Sequence, residues 1–134
     1  MNKPNPYLIY ILLFGLFFSF GCKKGKNYST TKDEDEQELQ QLMLKIKTSS
    51  ESSKCGNNIE ILSIAVGEKA CGGPQVYMPY TSSINVNEFK KLVAKYTALE
   101  RSYNKKWNIG SDCAFVQPPK SVTCQNGKPV IQYN

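Results

Sequence analysis

The sequence predicts an α+β domain: one long amphipathic helix packed on a small, mostly antiparallel sheet and closed by two disulfides. Three observations predict it. Apolar residues between Asn85 and Asn108 recur with the period of a helix. β-Branched residues concentrate in residues 59–66, and an Asn126-Gly127 pair separates two apolar runs near the C-terminus. Cys55, Cys71, Cys113 and Cys124 are spread through the same region, which is too short to build a large core unaided.

Residues 1–21 read as a lipoprotein signal peptide. Lys3 and the α-amine give a positive start, and residues 7–20 form an apolar run interrupted only by Gly15 and Ser19. That run is shorter than the roughly 20 residues a spanning helix needs and has the length of a signal-peptide core. Ser19-Phe20-Gly21-Cys22 follows. It resembles the lipobox of bacterial lipoproteins, in which a small residue precedes a cysteine that receives a diacylglycerol and the signal is cut before that cysteine. Gly21 fits the small position, while Ser19 and Phe20 depart from the usual aliphatic-then-Ala/Ser pattern. The chain has five cysteines, and exported proteins usually pair theirs. Lipidation of Cys22, with fatty acyl chains such as palmitate, leaves an even set of four. A multiply acylated cysteine is a firm anchor. The expected location is the bacterial cell envelope, lipid-anchored, with the domain outside the cytoplasm.

Residues 22–54 read as a lipidated, flexible tether. It carries Gly25-Lys26-Asn27, Ser29-Thr30-Thr31, the acidic block Asp33-Glu34-Asp35-Glu36 and Thr48-Ser49-Ser50-Glu51-Ser52-Ser53, a composition that buries little apolar area against its chain entropy. Within it, Leu39, Leu42, Met43 and Ile46 share one helical stripe, so a short helix is expected at 37–47. A helix that short is marginal alone in water, and so it either docks on the domain or flickers. The acidic block lacks the spaced ligands and turn glycine of a calcium loop.

Residues 55–134 form the disulfide-stapled domain. Residues 59–66 are expected as a buried strand ending at Gly67; a helix is the rival for so short an apolar run. Residues 69–83, with Gly72, Gly73, Pro74 and Pro79, are expected as an ordered loop with packed tyrosines. Asn85 caps the long helix, with Glu88 three residues on. Phe89, Leu92, Val93, Tyr96, Leu99, Tyr103 and Trp107 form its apolar face, Lys90, Lys91, Lys95, Arg101, Lys105 and Lys106 lie opposite, and Gly110 ends it. A short strand is expected at 113–116, then a hairpin turning at Asn126-Gly127. Pro129 cannot donate to a ladder, so its strand is expected at an edge or with an irregular start.

Four cysteines allow three connectivities. Nearest-neighbour pairing, Cys55–Cys71 with Cys113–Cys124, is the first expectation, and the crossed patterns stay open. A straight strand over 59–66 covers about 26 Å. The remaining links between Cys55 and Cys71 reach only about 30 Å when taut, while bonded α-carbons sit about 5.5 Å apart. Neighbour pairing there requires a bend. No CxxC pair suggests zinc.

With no histidine, His-based triads, His metal ligands and imidazole switches are excluded. A Ser–Lys dyad involving Ser63, Ser82 or Ser111 is the remaining nucleophile option, with Lys69 the lysine tested beside them. Glu60, Glu68, Glu88, Glu100 and Asp112 are the carboxylates of the domain; Glu88 and Glu100 read as helix-surface residues. Cys71-Gly72-Gly73-Pro74 lacks the spacing of phosphate loops. No catalytic residue, cofactor or metal is assigned. The candidate binding surface is Tyr77, Tyr80, Asp112, Lys91 and Lys95, because exposed aromatics and cations often serve recognition. The net charge of +6 suits acidic headgroups, glycans or an acidic protein; nucleic acid is not expected as a partner outside the cytoplasm.

Cys71-Gly72-Gly73-Pro74, the long helix, Ser111-Asp112-Cys113 and Cys124-Gln125-Asn126-Gly127, in that order, together resemble a group of uncharacterised small bacterial lipoproteins of Bacteroidetes type. The resemblance covers roughly residues 55–133 and implies location and fold, with no activity to carry over. The expected function is therefore that of a cell-envelope lipoprotein with a non-catalytic binding domain. The alternatives are an inhibitor or immunity protein against an envelope hydrolase, and a small hydrolase with a Ser–Lys or carboxylate site.

Overall fold

A computed structural model describes residues 30–133. The expected signal peptide and Cys22 lie outside the described residues. The fold is α+β, with elements in the order α1 (Lys32–Ser52), β1 (Ile61–Val66), β2 (Val76–Thr81), α2 (Val86–Lys106), β3 (Ser121–Gln125) and β4 (Lys128–Gln132).

The first difference from the sequence reading lies in the expected tether. In place of a flexible segment with a short helix at 37–47, a 21-residue helix runs from Lys32 to Ser52 and docks. Thr31 opens it with a capping box: its hydroxyl accepts from the Glu34 amide, and the Glu34 carboxylate accepts from the Thr31 amide. Asp33, Glu34 and Asp35 lie in the first turn, where the helix dipole favours acids. The stripe read from the sequence is the buried one, with Leu39, Leu42 and Ile46 in the core.

The serine-rich end of this segment is also ordered, for a reason that composition hides. The Ser50 hydroxyl donates to the Pro79 carbonyl at 2.6 Å. Ser53 is fully buried, and its Oγ accepts from the Thr81 amide. Thr81 is buried as well and donates from Oγ1 to the Lys54 carbonyl at 2.9 Å, while Ser83 Oγ, 2.7 Å from Thr81 Oγ1, accepts from the Lys54 amide. These hydroxyls find partners about thirty residues away, so a stretch that looks solvated in isolation becomes a polar lock between α1 and β2. Each bond to a buried backbone group avoids a desolvation cost of about 1–3 kcal/mol.

Two antiparallel hairpins replace the single sheet expected. β1 pairs with β2, and β3 with β4, as separate two-stranded sheets. β1 takes the place of the expected strand. β2 falls where an ordered loop was expected, because Pro79 sits where its missing N–H costs nothing. The Ser82 amide donates to the Glu60 carbonyl. Alternation along the ladder then puts Ser63 and Pro79 opposite each other as a non-hydrogen-bonded pair. The outer edge of β2 faces α1, where the Pro79 carbonyl receives Ser50. The second hairpin turns at Asn126 (φ 50°) and Gly127 (φ 74°), both left-handed as a two-residue turn requires. Pro129 lies opposite Cys124, the position after the pair that closes the turn, and is again spared a ladder bond.

α2 is the long helix expected, but its end differs. The Asn85 side chain caps it by accepting from the Glu88 amide at 3.2 Å. Phe89, Val93, Tyr96 and Tyr103 are buried, with Leu92, Leu99 and Trp107 packed at the margin. The helix stops at Lys106, before Gly110. Asn108 takes the left-handed conformation (φ 48°), and the Ile109 amide returns to the Asn104 carbonyl at 3.0 Å, a Schellman closure with asparagine in the usual glycine position. There are thus two 21-residue helices where one was expected.

The helices are antiparallel. The start of α1 meets the end of α2 through Asp35 with Lys106 and Trp107, Glu36 with Tyr103, and Glu38 with Lys95. The acidic block is therefore the polar seam between the helices. The core between them and the β1–β2 hairpin contains Ile46, Val66, Met78 and the tilted Tyr80–Phe89 pair, whose ring centroids are 5.1 Å apart.

Nearest-neighbour pairing of the cysteines is overturned. Cys71 is bonded to Cys113, with α-carbons 5.5 Å apart. Cys55 and Cys124 are thiols that face one another, each within reach of the other. Burial, with the Cys124 thiol beside it, pushes the Cys55 thiol up. The arrangement is nested: β1 runs away from Cys55 and delivers Cys71 to the far end of α2, out of its reach. Among the described residues no helix is long and apolar enough to cross a membrane.

Candidate functional site

The chemically richest part of the surface is the end of the molecule where α2 finishes. Two loops meet there, the β1–β2 connection (67–75) and the segment 107–120. Gly67 starts the first with φ 79°. A Cβ at this position would collide with Glu100 Oε2 and lie 2.8 Å from Gln75 Cγ, so glycine is required both by backbone and by space.

Glu100 is buried, which the sequence reading as a helix-surface residue did not anticipate. Its carboxylate accepts from the Glu68 amide at 2.6 Å and from the Tyr96 hydroxyl at 2.9 Å. Burial and the adjacent carboxylate push the Tyr96 phenol well above its ordinary range, so it stays a donor. Glu100 thus holds the first loop by accepting from its backbone beneath the turn. Its phase with Phe89, Val93, Tyr96 and Tyr103 was the sequence signal for its burial.

Outside this buried pair, Arg101 clamps Glu68, with Nε at 2.8 and 2.7 Å from the two carboxylate oxygens. That guanidinium holds the Glu68 carboxyl below the usual range. The Asn104 side chain donates to the Glu68 carbonyl. The second loop is then fixed to the first. Lys69 Nζ donates to Asp112 Oδ1 at 3.0 Å and to the Ala114 carbonyl at 2.8 Å, and Asp112 also accepts from the Ala114 amide. Lys69, followed by the Ala114 amide, lowers the Asp112 carboxyl. The Cys71–Cys113 bond completes the staple, and Cys113 is left-handed (φ 52°). This loop takes the place of the strand expected at 113–116. It presents Phe115 with 84% of its surface exposed.

The five residues singled out as a binding surface do not come together. Tyr80 is only 3% exposed and belongs to the core. Tyr77 is half-buried in β2 opposite Ala65. Lys91 is exposed on α2, and Lys95 is paired with Glu38 of α1 at 3.1 Å. Of the five, only Asp112 lies at the stapled loops. Lys69, the lysine closest to a dyad role by sequence, is engaged with Asp112 and Ala114. Ser82 Oγ accepts from the Glu60 amide and Ser111 Oγ from the Cys113 amide. These serines hold loops. Phe115 was missed as a site residue; an apolar residue between Cys113 and a Pro-Pro pair was the available signal for it.

A separate groove of about 630 Å³ lies between the second half of α1 and the start of α2, lined by Leu44, Thr48, Ile84, Phe89 and Leu92. Leu44 on its rim is 64% exposed. Among the described residues no group of three or more cysteine, aspartate or glutamate side chains is placed to hold a metal ion. Comparison with protein families, curated proteins and solved structures finds no match to this chain.

Proposed function

We propose that this protein is a bacterial cell-envelope lipoprotein, anchored through Cys22, whose stapled domain binds at the envelope without catalysis. The observation that carries this reading is the Cys71–Cys113 bond closing two surface loops, since structural disulfides persist in oxidising compartments outside the cytoplasm. The lipobox-like Ser19-Phe20-Gly21-Cys22 supplies the anchor, and the odd fifth cysteine is thereby accounted for. The lysine and serines nearest a dyad role are spent on loop geometry, which favours a binding role over turnover. A rigid pair of loops also suits recognition, because little ordering is lost on contact.

The test is the intact mass of the protein recovered from bacterial envelopes, alongside Cys22→Ala. The expected species begins at Cys22 and carries acyl chains, and labelled palmitate enters the wild type but not the variant. A species retaining Met1, or one without acyl mass, overturns the reading.

A further inference from the structure

We infer that the stapled-loop end of the domain faces the lipid bilayer and that Phe115 enters it. This rests on Cys22 being the lipid anchor, as proposed above. The structure shows where the chain joins the domain. Thr30, the first described residue, is held by Lys106, whose Nζ reaches the Thr30 carbonyl at 3.1 Å and its hydroxyl at 2.6 Å. The chain therefore arrives at the C-terminal end of α2. The loop bearing Phe115 is tied to the same end through Lys69, Glu68, Arg101 and Asn104.

Length makes this arrangement orienting. The eight residue steps from Cys22 to Thr30 reach at most about 28 Å even if fully extended. A helix the length of α2 is itself about 30 Å long. The Thr30 end is thus the end attached nearest the anchor, within about 28 Å of it, and Ser52 and Asn85 lie at the opposite end of the helix pair; we take the attached end as the one that meets the membrane. The feature exposed at the near end is an apolar ring. Phe115 is 84% exposed, two residues from the disulfide and three from the ion pair that hold its loop. Ala114 and Pro118 beside it are exposed too. Apolar and aromatic side chains next to an anchor add favourable insertion at the headgroup level. At the stapled loops, Asp35, Glu68 and Asp112 offset Lys106, Arg101 and Lys69 in pairs, while Lys23, Lys24 and Lys26 lie between Cys22 and Thr30 in the sequence. Because the charges at the loops themselves are paired, the Phe115 contact is one of apolar insertion.

The experiment uses the full lipidated chain reconstituted into phosphatidylethanolamine–phosphatidylglycerol vesicles with brominated acyl chains. Phe115→Trp places a second indole at the tip, wild-type Trp107 gives the baseline, and Leu44→Trp is the control on the side of the molecule. Both added indoles replace exposed side chains, and circular dichroism checks that each variant folds. The expected result is co-flotation of both variants with vesicles, with a blue shift and loss of emission for Phe115→Trp and neither spectral change for Leu44→Trp. Flotation without quenching of Phe115→Trp overturns this inference and leaves the anchor standing. Equal quenching of both variants means the molecule lies on its side and also overturns it. A blue shift that needs concentrated protein but no vesicles assigns Phe115 to a second copy of the chain, against the inference. Failure to float overturns the anchor and this inference together.

Discussion

The two halves of the molecule are held by different forces. From Thr31 to Trp107 the chain is organised by burial: Ile46, Val66 and Thr81 are fully enclosed, and Tyr80 packs tilted against Phe89. From Asn108 onward little is enclosed. Pro129 is the one buried side chain among the described residues of this arm, and the strands β3 and β4 are largely exposed or half-covered. The arm is instead fastened at points: Cys71–Cys113, Lys69 to Asp112 and Ala114, the Cys55 amide to the Gly127 carbonyl, and Lys128 to the Glu51 carbonyl. A two-stranded hairpin is barely stable by itself in water. The difference shows what sulfur does here: it holds the part of the chain whose composition cannot form a core.

The largest effect that breaks this contrast belongs to the body. Ile46→Ala removes a side chain with no exposed surface at the centre of α1. Such truncations cost about 2–5 kcal/mol, a large share of the stability of a small domain. Urea unfolding followed by far-ultraviolet dichroism is expected to show one transition with a lower midpoint. An unchanged midpoint would mean that α1 is not part of the cooperative unit and that the body ends at β1.

The arm gives the next effect. Replacing Cys71 and Cys113 together by serine removes a crosslink between residues 42 apart, worth about 2–4 kcal/mol in typical cases. If the contrast holds, the loss is unevenly spread. Amide exchange should accelerate across residues 108–133 while the β1–β2 ladder and α2 keep their protection. Uniform acceleration in both regions would show that the arm is part of the core after all. Alkylation of the native protein sharpens the same point, because Cys55 and Cys124 face each other as thiols. In protein recovered from an oxidising compartment these two are expected to be bonded and to resist a thiol reagent until reduced.

How much of this was legible in the sequence follows from the same division. Periodic burial was legible: the α2 stripe from Phe89 to Trp107 and the Leu39–Leu42–Ile46 stripe are the buried faces observed. Local turn chemistry was legible too, in Asn126-Gly127 and in the Asn85 cap. What escaped was long-range and polar. The serines of residues 48–53 have the composition of a linker, and only their distant partners Pro79, Thr81 and Ser83 make them structural. Pro79 looked like a strand breaker until the register placed it in a non-hydrogen-bonded pair. Glu100 looked like surface because its partners, the Glu68 amide and Tyr96, come from the fold. The cysteine pairing depended on where β1 delivers Cys71, which no spacing rule states. The binding residues failed for a related reason: Tyr80 and Asp112 are close to strong local features, but one feature is core and the other is loop.

The smallest expected effect separates the halves by acid rather than by mutation. Asp35 accepts from Lys106 Nζ at 2.7 Å, from the Thr30 hydroxyl and from the Trp107 indole N–H at 2.8 Å. Those donors, Lys106 first, hold its carboxyl down at about 2, against about 3.9 in an unfolded chain. A depressed carboxylate contributes stability that is fully present above the unfolded value and is lost as pH falls through the folded one. The helix seam should therefore loosen between about pH 4 and pH 2; in the arm Asp112, also depressed, loses its pairing with Lys69 in acid, while the Cys71–Cys113 bond does not titrate. Trp107 is the only tryptophan and sits on the affected carboxylate, so its emission reports the seam directly. Wild type is expected to change in that acid window, and Asp35→Asn to show the loosened emission already at neutral pH with a flattened response below pH 4. Emission that stays constant down to pH 2 in the wild type would mean that the seam stands on apolar packing alone. In that case the body relies even more completely on burial than its polar contacts suggest.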